Sequence, residues 1–147
     1  MTNAVTMKDN WLFVNGKRHI LLSGEFHYWR HNPAYWDAIF DSIRELGVEI
    51  VSSFIPFNFH EISKGQFDFE GRTMPERNLA GFLDHAARRG FLVILRPAPS
   101  EAGEWPNAGL PERLLGLHRL HPTYVRAVKT YENYLREHHL EKLLKCL

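Results

Sequence analysis

An α/β chain built on a parallel sheet is what this sequence predicts, and three observations carry that prediction. The order amphipathic helix, glycine, apolar strand occurs twice, at Leu46-Gly47 and at Arg89-Gly90. Phe91-Leu-Val-Ile-Leu95 carries no polar side chain, which suits a strand covered on both faces in a parallel sheet. Right-handed crossovers then place consecutive strands side by side, so the chain reads as βαβαβ behind an N-terminal hairpin.

Each element has a local reason. Trp11-Leu-Phe-Val14 and Lys17-Arg-His-Ile-Leu-Leu22 flank Asn15-Gly16, a pair that supplies the positive φ angles of a two-residue hairpin turn. The second arm runs on into Ser23-Gly-Glu-Phe-His-Tyr28, read as the first inner strand. Asn32-Pro33 offers a helix cap and a first-turn proline, and Tyr35, Trp36, Ile39, Phe40, Ile43 and Leu46 follow at helical spacing until Gly47. Glu49 to Ile55 is a β-branched second strand bounded by Pro56. From Phe57 to about Glu76 a long loop is expected, with Phe67 and Phe69 alternating around Asp68 as one short strand. Asn78 to Arg89 is the second helix, with Leu79, Phe82, Leu83 and Ala86 on one face. Beyond Trp105, Leu110 to Leu115 suits a short helix, and Pro122 opens a longer one through Tyr124, Val125, Val128, Tyr131 and Leu135.

Composition bounds the function. The 147 residues are 44% hydrophobic and 24% charged, with a net charge of +1 and no basic stripe or polybasic tail. No nucleic-acid partner and no membrane partner is expected. A single cysteine, Cys146, excludes an internal disulfide and any Cys-x-x-Cys metal motif. The first ten residues, read as a tail, lack an apolar core of signal-peptide length, so a cytoplasmic location is expected. Three inner strands would leave both sheet edges open, which favours self-association or completion by further chain.

The chemistry gathers where strands end. Phe91 to Leu95 runs into Arg96-Pro-Ala-Pro-Ser-Glu-Ala-Gly-Glu-Trp105, at the sheet edge where α/β proteins bind ligands. Glu104 has two readings there, a carboxylate that binds hydroxyl groups beside Trp105 or a loop carboxylate that satisfies backbone N–H groups. Glu25, His27, His60 and Glu61 form either a metal or acid/base set or a bracing hydrogen-bond network. No His-Glu-x-x-His spacing supports a metal, and the network is the favoured reading. Arg96 either clamps a substrate group or pairs with Glu25 or Glu61. Trp11, Trp29 and Trp36 are expected to pack, while Trp105 is singled out to stack on a ligand ring.

Ser23-Gly-Glu-Phe-His-Tyr28, Ile55-Pro-Phe-Asn-Phe-His-Glu61, Gly65-Gln-Phe-Asp-Phe69, Val93-Ile-Leu-Arg-Pro97, Glu104-Trp105 and Gly109-Leu-Pro111 follow one another in a familiar order and spacing. Together they resemble the N-terminal part of the family 35 glycoside hydrolases, chiefly β-galactosidases. The resemblance implies a partial (β/α)8 TIM barrel, about its first three βα units, hydrolysis of terminal β-galactosides in carbohydrate metabolism, a carbohydrate partner and no cofactor.

By the same resemblance Glu104 binds hydroxyls of the terminal galactose and Gly103 contributes a backbone group where the family has alanine. Phe54 stands where the family's tyrosine reaches the sugar, and Asn58 and Trp105 complete the substrate-binding set. Ala98-Pro-Ser-Glu-Ala-Gly103 replaces the family's Gly-Pro-Tyr-Ile-Cys-Ala, which bears on sugar preference. Retaining glycosidases need two carboxylates about 5 Å apart. Neither the family's Asn-Glu-Tyr acid/base motif nor its nucleophile motif occurs here, so no catalytic residue is assigned. Residues 11–135 are expected to be barrel and 136–147 a divergent helix end that reflects an early stop or shifted frame. The alternatives are an inactive fragment or a sugar-binding partial barrel that needs a second chain.

Overall fold

The computed structural model of the protein describes residues 5–20, 22–97, 99 and 105–140. It opens with β1 (Val5–Lys8), β2 (Trp11–Val14) and β3 (Lys17–His19), an antiparallel sheet in the order β1-β2-β3. Asn15 and Gly16, at φ 53° and 77°, make the predicted two-residue turn and set Val14 opposite Lys17. Residues 5–8, expected as tail, instead pair along β2, with Val5 opposite Val14 and a second left-handed turn at Asp9 and Asn10. All four residues of β1 are exposed, so no burial pattern in the sequence announces the strand.

The inner sheet is parallel, in the order β4 (Ser23–Glu25), β5 (Ile50–Phe54), β8 (Leu92–Arg96). Strands adjacent in the inner sheet are thus consecutive along the βαβαβ path, as the sequence predicts. The centre, however, is β5. Its first four residues are buried, whereas β8, predicted to be covered on both faces, is half-buried, with Ile94 37% exposed. The reason is position: among the described residues β8 has a strand neighbour on one side only.

Two helices cover this sheet. A single 3-10 turn at Pro33–Tyr35, capped by the Asn32 side chain accepting from the Ala34 N–H at 3.0 Å, leads into α1 (Trp36–Glu45). The apolar stripe of α1 buries Trp36 and Phe40, and Gly47 at φ 75° ends it. Between β5 and the next helix, the expected long loop contains a one-turn helix, α2 (Phe57–His60), and a small hairpin of β6 (Glu61–Ser63) with β7 (Gln66–Phe67). The helix α3 (Leu79–Arg88) is capped by Asn78, which accepts from the Gly81 N–H at 2.8 Å, and buries Leu79, Phe82, Leu83 and Ala86. The predicted short helix at 110–115 narrows to a 3-10 turn at Glu112–Leu114.

The last described element is α4 (Pro122–Leu135), continued by a π-helical turn at Arg136–Leu140. Tyr131 fastens α4 to the central strand's exit. Its ring is fully buried and stacks on Phe57 at 4.5 Å, and its hydroxyl donates to the Ile55 carbonyl at 2.5 Å.

A buried carboxylate shapes the segment after β7. Asp68 is 2% exposed, and its oxygens accept from the backbone N–H groups of Glu70, Arg72 and Thr73 and from the Thr73 hydroxyl, at 2.5 to 3.1 Å. Burial raises its pKa, but these donors, led by the Thr73 hydroxyl, more than offset that and hold it at about 2 against an ordinary 3.8.

Because this folded-state pKa is depressed, the stabilisation is fully present above the unfolded pKa near 4 and is lost as pH falls through about 2. Asp68→Asn is therefore expected to cost about 2 kcal/mol at neutral pH, with the gap to wild type closing by about pH 2. Denaturant unfolding at several pH values checks this, and a gap that stays constant with pH would sink the electrostatic account. Tyr131→Phe, which strands the Ile55 carbonyl, is expected to cost about 1 to 2 kcal/mol in the same assay; an unchanged midpoint would show that α4 docks by packing alone.

Candidate functional site

The site is assembled at the C-terminal edge of the parallel sheet. Parallel pairing brings Phe54 opposite Arg96 at the ends of β5 and β8, and Glu25 ends β4 alongside Ser52. The Arg96 guanidinium lies 3.6 Å from the centroid of the Phe54 ring and pairs with the Glu25 carboxylate. Of the two readings open for Arg96, the salt bridge to Glu25 is the one formed. Its Nε is buried with no hydrogen-bond partner among the described residues. The face of Phe54 is therefore covered by a cation, and a flat guanidinium suits that stacking.

His27 extends this edge. Its Nε2 lies 3.7 Å from Glu25, and its ring stacks on Trp29 at 5.0 Å with 14° between the planes. Trp29 donates its indole N–H to the Phe54 carbonyl at 3.1 Å and meets Trp105 edge to face at 4.6 Å. Phe59 closes the cluster against Trp105 at 5.5 Å. Trp29 was expected only to pack, and it does, but the ring it packs against is the one singled out for ligand stacking. The two tryptophans are far apart in sequence, so nothing in the local spacing announces their contact.

Asn58 holds Trp105 in place. Its Oδ1 accepts from the Trp105 indole N–H at 2.8 Å, and its Nδ2 donates to the Pro106 carbonyl at 3.1 Å. Asn58 can do this because Pro56 ends β5 and the one-turn α2 swings its side chain toward the chain returning from β8. The indole N–H is committed to Asn58, which leaves the carbon surface of Trp105 as its means of meeting a ligand. Gly103 and Glu104, the other two expected sugar contacts, lie outside the described residues, as do Ser100 and Glu101.

Of the residues expected to form a bracing network, Glu25, His60 and Glu61 are each held by other partners in the fold. His60 is fully buried between Tyr28 and the Asp68 backbone, with Tyr28 Oη 2.6 Å from Nε2 and the Asp68 carbonyl 2.7 Å from Nδ1. A carbonyl can only accept, so Nδ1 carries the proton, and in the neutral ring Nε2 accepts from the tyrosine. Glu61 receives the Arg113 guanidinium and the Gly65 N–H, the latter at 2.8 Å. Sequence reading missed Arg113, because its partner is 52 positions away and neither residue belongs to a repeating pattern. Among the described residues no three His, Cys, Asp or Glu side chains converge as a metal site would require. No helix among them is long and apolar enough to cross a membrane.

Comparison with known proteins places this geometry in context. The model for glycosyl hydrolases family 35 matches residues 11–145. A β-1,2-glucosyltransferase from Ignavibacterium album is 39% identical over 107 residues, covering 73% of this chain and 15% of that protein. An exo-β-D-glucosaminidase from Thermococcus kodakarensis is 34% identical over 142 residues, covering 82% and 18%. A β-galactosidase-1-like protein from Mus musculus is 35% identical over 132 residues, covering 86% and 20%. The chain thus spans a fifth or less of the length of these relatives.

Asn58→Ala is expected to free the Trp105 indole. The Trp105 Nε1 proton should lose protection from exchange, and stability should fall by about 1 kcal/mol. An indole resonance that keeps its shift and protection in the variant would mean that Asn58 does not position Trp105.

Proposed function

The chain belongs to glycosyl hydrolase family 35, and from that premise we propose that it forms the opening three βα units of a β-galactosidase-like (β/α)8 barrel and carries part of its sugar-recognition site. The observation that carries the reading is the convergence of Phe54, Asn58 and Trp105 at the C-terminal edge of a parallel sheet whose strands lie in chain order. That edge is where barrel enzymes bind substrate. In this reading Trp105 offers an apolar surface to the sugar ring, Asn58 fixes that surface, and Glu104 with the Gly103 backbone binds hydroxyl groups. Residues 11–135 are the barrel portion.

The chemistry of the whole enzyme would be cleavage of a terminal β-galactoside by two carboxylates, without a cofactor. The absence of both catalytic motifs from the sequence favours a second reading for the chain by itself: an inactive fragment, or a sugar-binding partial barrel that acts when a second chain supplies the remaining strands. Sugar identity is the third variable. Phe54 in place of the family tyrosine, and relatives named for glucosyl and glucosaminyl chemistry, make glucose and glucosamine the alternatives to galactose.

Titration calorimetry of the chain with galactose, glucose and glucosamine tests this. Galactose is expected to bind with millimolar affinity, and Trp105→Ala or Glu104→Ala to weaken it about tenfold or more, while an aryl β-galactoside stays intact. Hydrolysis of the aryl galactoside by the pure chain would overturn the assignment of a recognition role without chemistry. Binding of none of the three sugars would leave the inactive-fragment reading.

A further inference from the structure

Beside the aromatic cluster the surface holds two adjoining cavities that no part of the sugar site explains. One, of about 590 Å³, is lined by Asn58, Pro106, Asn107 and Glu112, together with Glu61, Lys64 and Arg113. The other, of about 260 Å³, shares Glu61, Lys64 and Arg113 and adds Thr123, Arg126 and Thr130 from α4. They form a trough that starts at the two residues tied to Trp105, since Asn58 accepts the indole N–H and also donates to the Pro106 carbonyl.

Charge is distributed unevenly along it. The end near Asn58 has two carboxylates, Glu61 and Glu112, against two cations, Lys64 and Arg113. The end against α4 has three cations, Lys64, Arg113 and Arg126, and Glu61 alone. Glu61 is committed to the Arg113 guanidinium and the Gly65 N–H, and its side chain is 6% exposed. Lys64 and Arg126 make no ion pair among the described residues, so two cations border a small cavity without a counter-charge from the fold. Cations gathered around a concave surface raise the local potential and favour an anion there. A guanidinium and an ammonium, with the Thr123 hydroxyl beside them while that of Thr130 donates to the Arg126 carbonyl, suit a sulfate or carboxylate.

We propose that the α4 end of this trough is a subsite for an anionic substituent, a sulfate or carboxylate, on a saccharide whose neutral ring lies at Trp105. This rests on the sugar-recognition reading above and names the substrate class that the site would prefer. Lys64 and Arg126 are the residues that select for charge; Arg113 is held by Glu61 and shapes the floor.

The test compares three probes by calorimetry at fixed ionic strength: a sulfated galactose disaccharide, its unsulfated parent, and sodium sulfate. The sulfated disaccharide is expected to bind about tenfold more tightly than the parent, and the Lys64→Gln/Arg126→Gln double variant to abolish that difference while binding the parent as wild type does. Both side chains are exposed, and an unchanged melting temperature would show that the fold is intact. A Lys129→Gln/Arg119→Gln variant, which removes two cations that do not line the trough, should keep the preference. Equal binding of the two disaccharides, or a preference that survives the first double variant, would overturn the subsite and leave the sugar reading standing. Binding of sodium sulfate as tight as that of the sulfated disaccharide, with no binding of the parent, would overturn both and leave a site for free anions.

Discussion

The buried imidazole of His60 is the contact on which the geometry of the site depends. Its two nitrogens reach Tyr28, just past the end of β4, and the backbone of Asp68, which begins the segment after β7. Its own position, the last residue of α2, fixes that single helical turn against both. A four-residue helix has almost no stability of its own, since nucleation costs more than one turn returns. The imidazole, the stacking of His60 on Phe69 at 4.2 Å, and the burial of Phe57 and Phe59 hold it in shape. Asn58 lies within that turn and Trp105 hangs from Asn58, so a core hydrogen bond sets the position of a surface ring.

Asp68 supports the same arrangement from the other side. Its backbone carbonyl receives the His60 proton, while its carboxylate gathers the N–H groups of the next few residues. Arg77 adds a further tie, donating through Nε to the Phe59 carbonyl at 2.7 Å and through a terminal nitrogen to the Thr73 hydroxyl at 2.7 Å. A segment with little regular secondary structure is therefore ordered by polar contacts, most of them part-buried, which cost little here because each named group finds a partner.

What the sequence made legible follows from period and turn chemistry. The stripe of Trp36 and Phe40, the cap at Asn32, and the Asn15-Gly16 turn each encode structure within a few residues, and each corresponds to an observed element. Features set by distant partners were hidden. The exposed β1 is a strand because β2 lies beside it, and Phe57-Asn-Phe-His60 is helical because His60 is held from outside, although two of its residues favour strands. The exposure of β8 depends on which strand lies beyond it, which no local pattern states. Phe54, Asn58 and Trp105 were expected through family likeness to bind substrate; the structure ties Asn58 to Trp105 and links Phe54 to Trp105 through Trp29. The Glu61–Arg113 pair and the stacking of Arg96 on Phe54 needed coordinates, since nothing in either arginine's neighbourhood names its partner.

The acidic residues near this edge support the proposed reading of recognition without chemistry. Glu25 is paired with Arg96, Glu61 with Arg113, and Asp68 is buried beneath four donors and held ionised to about pH 2. A glycosidic acid must carry a proton at working pH and reach the leaving oxygen, which an ionised, buried Asp68 cannot do. Glu25 and Glu61 spend oxygens on guanidinium groups that shape the floor of the site. In the proposed reading, what the described residues would offer a sugar is an apolar ring surface held by Asn58, with a cationic trough alongside. Such contacts act on the ground state and the transition state alike, so they set affinity and selectivity; acceleration requires groups whose interaction strengthens as the glycosidic bond breaks.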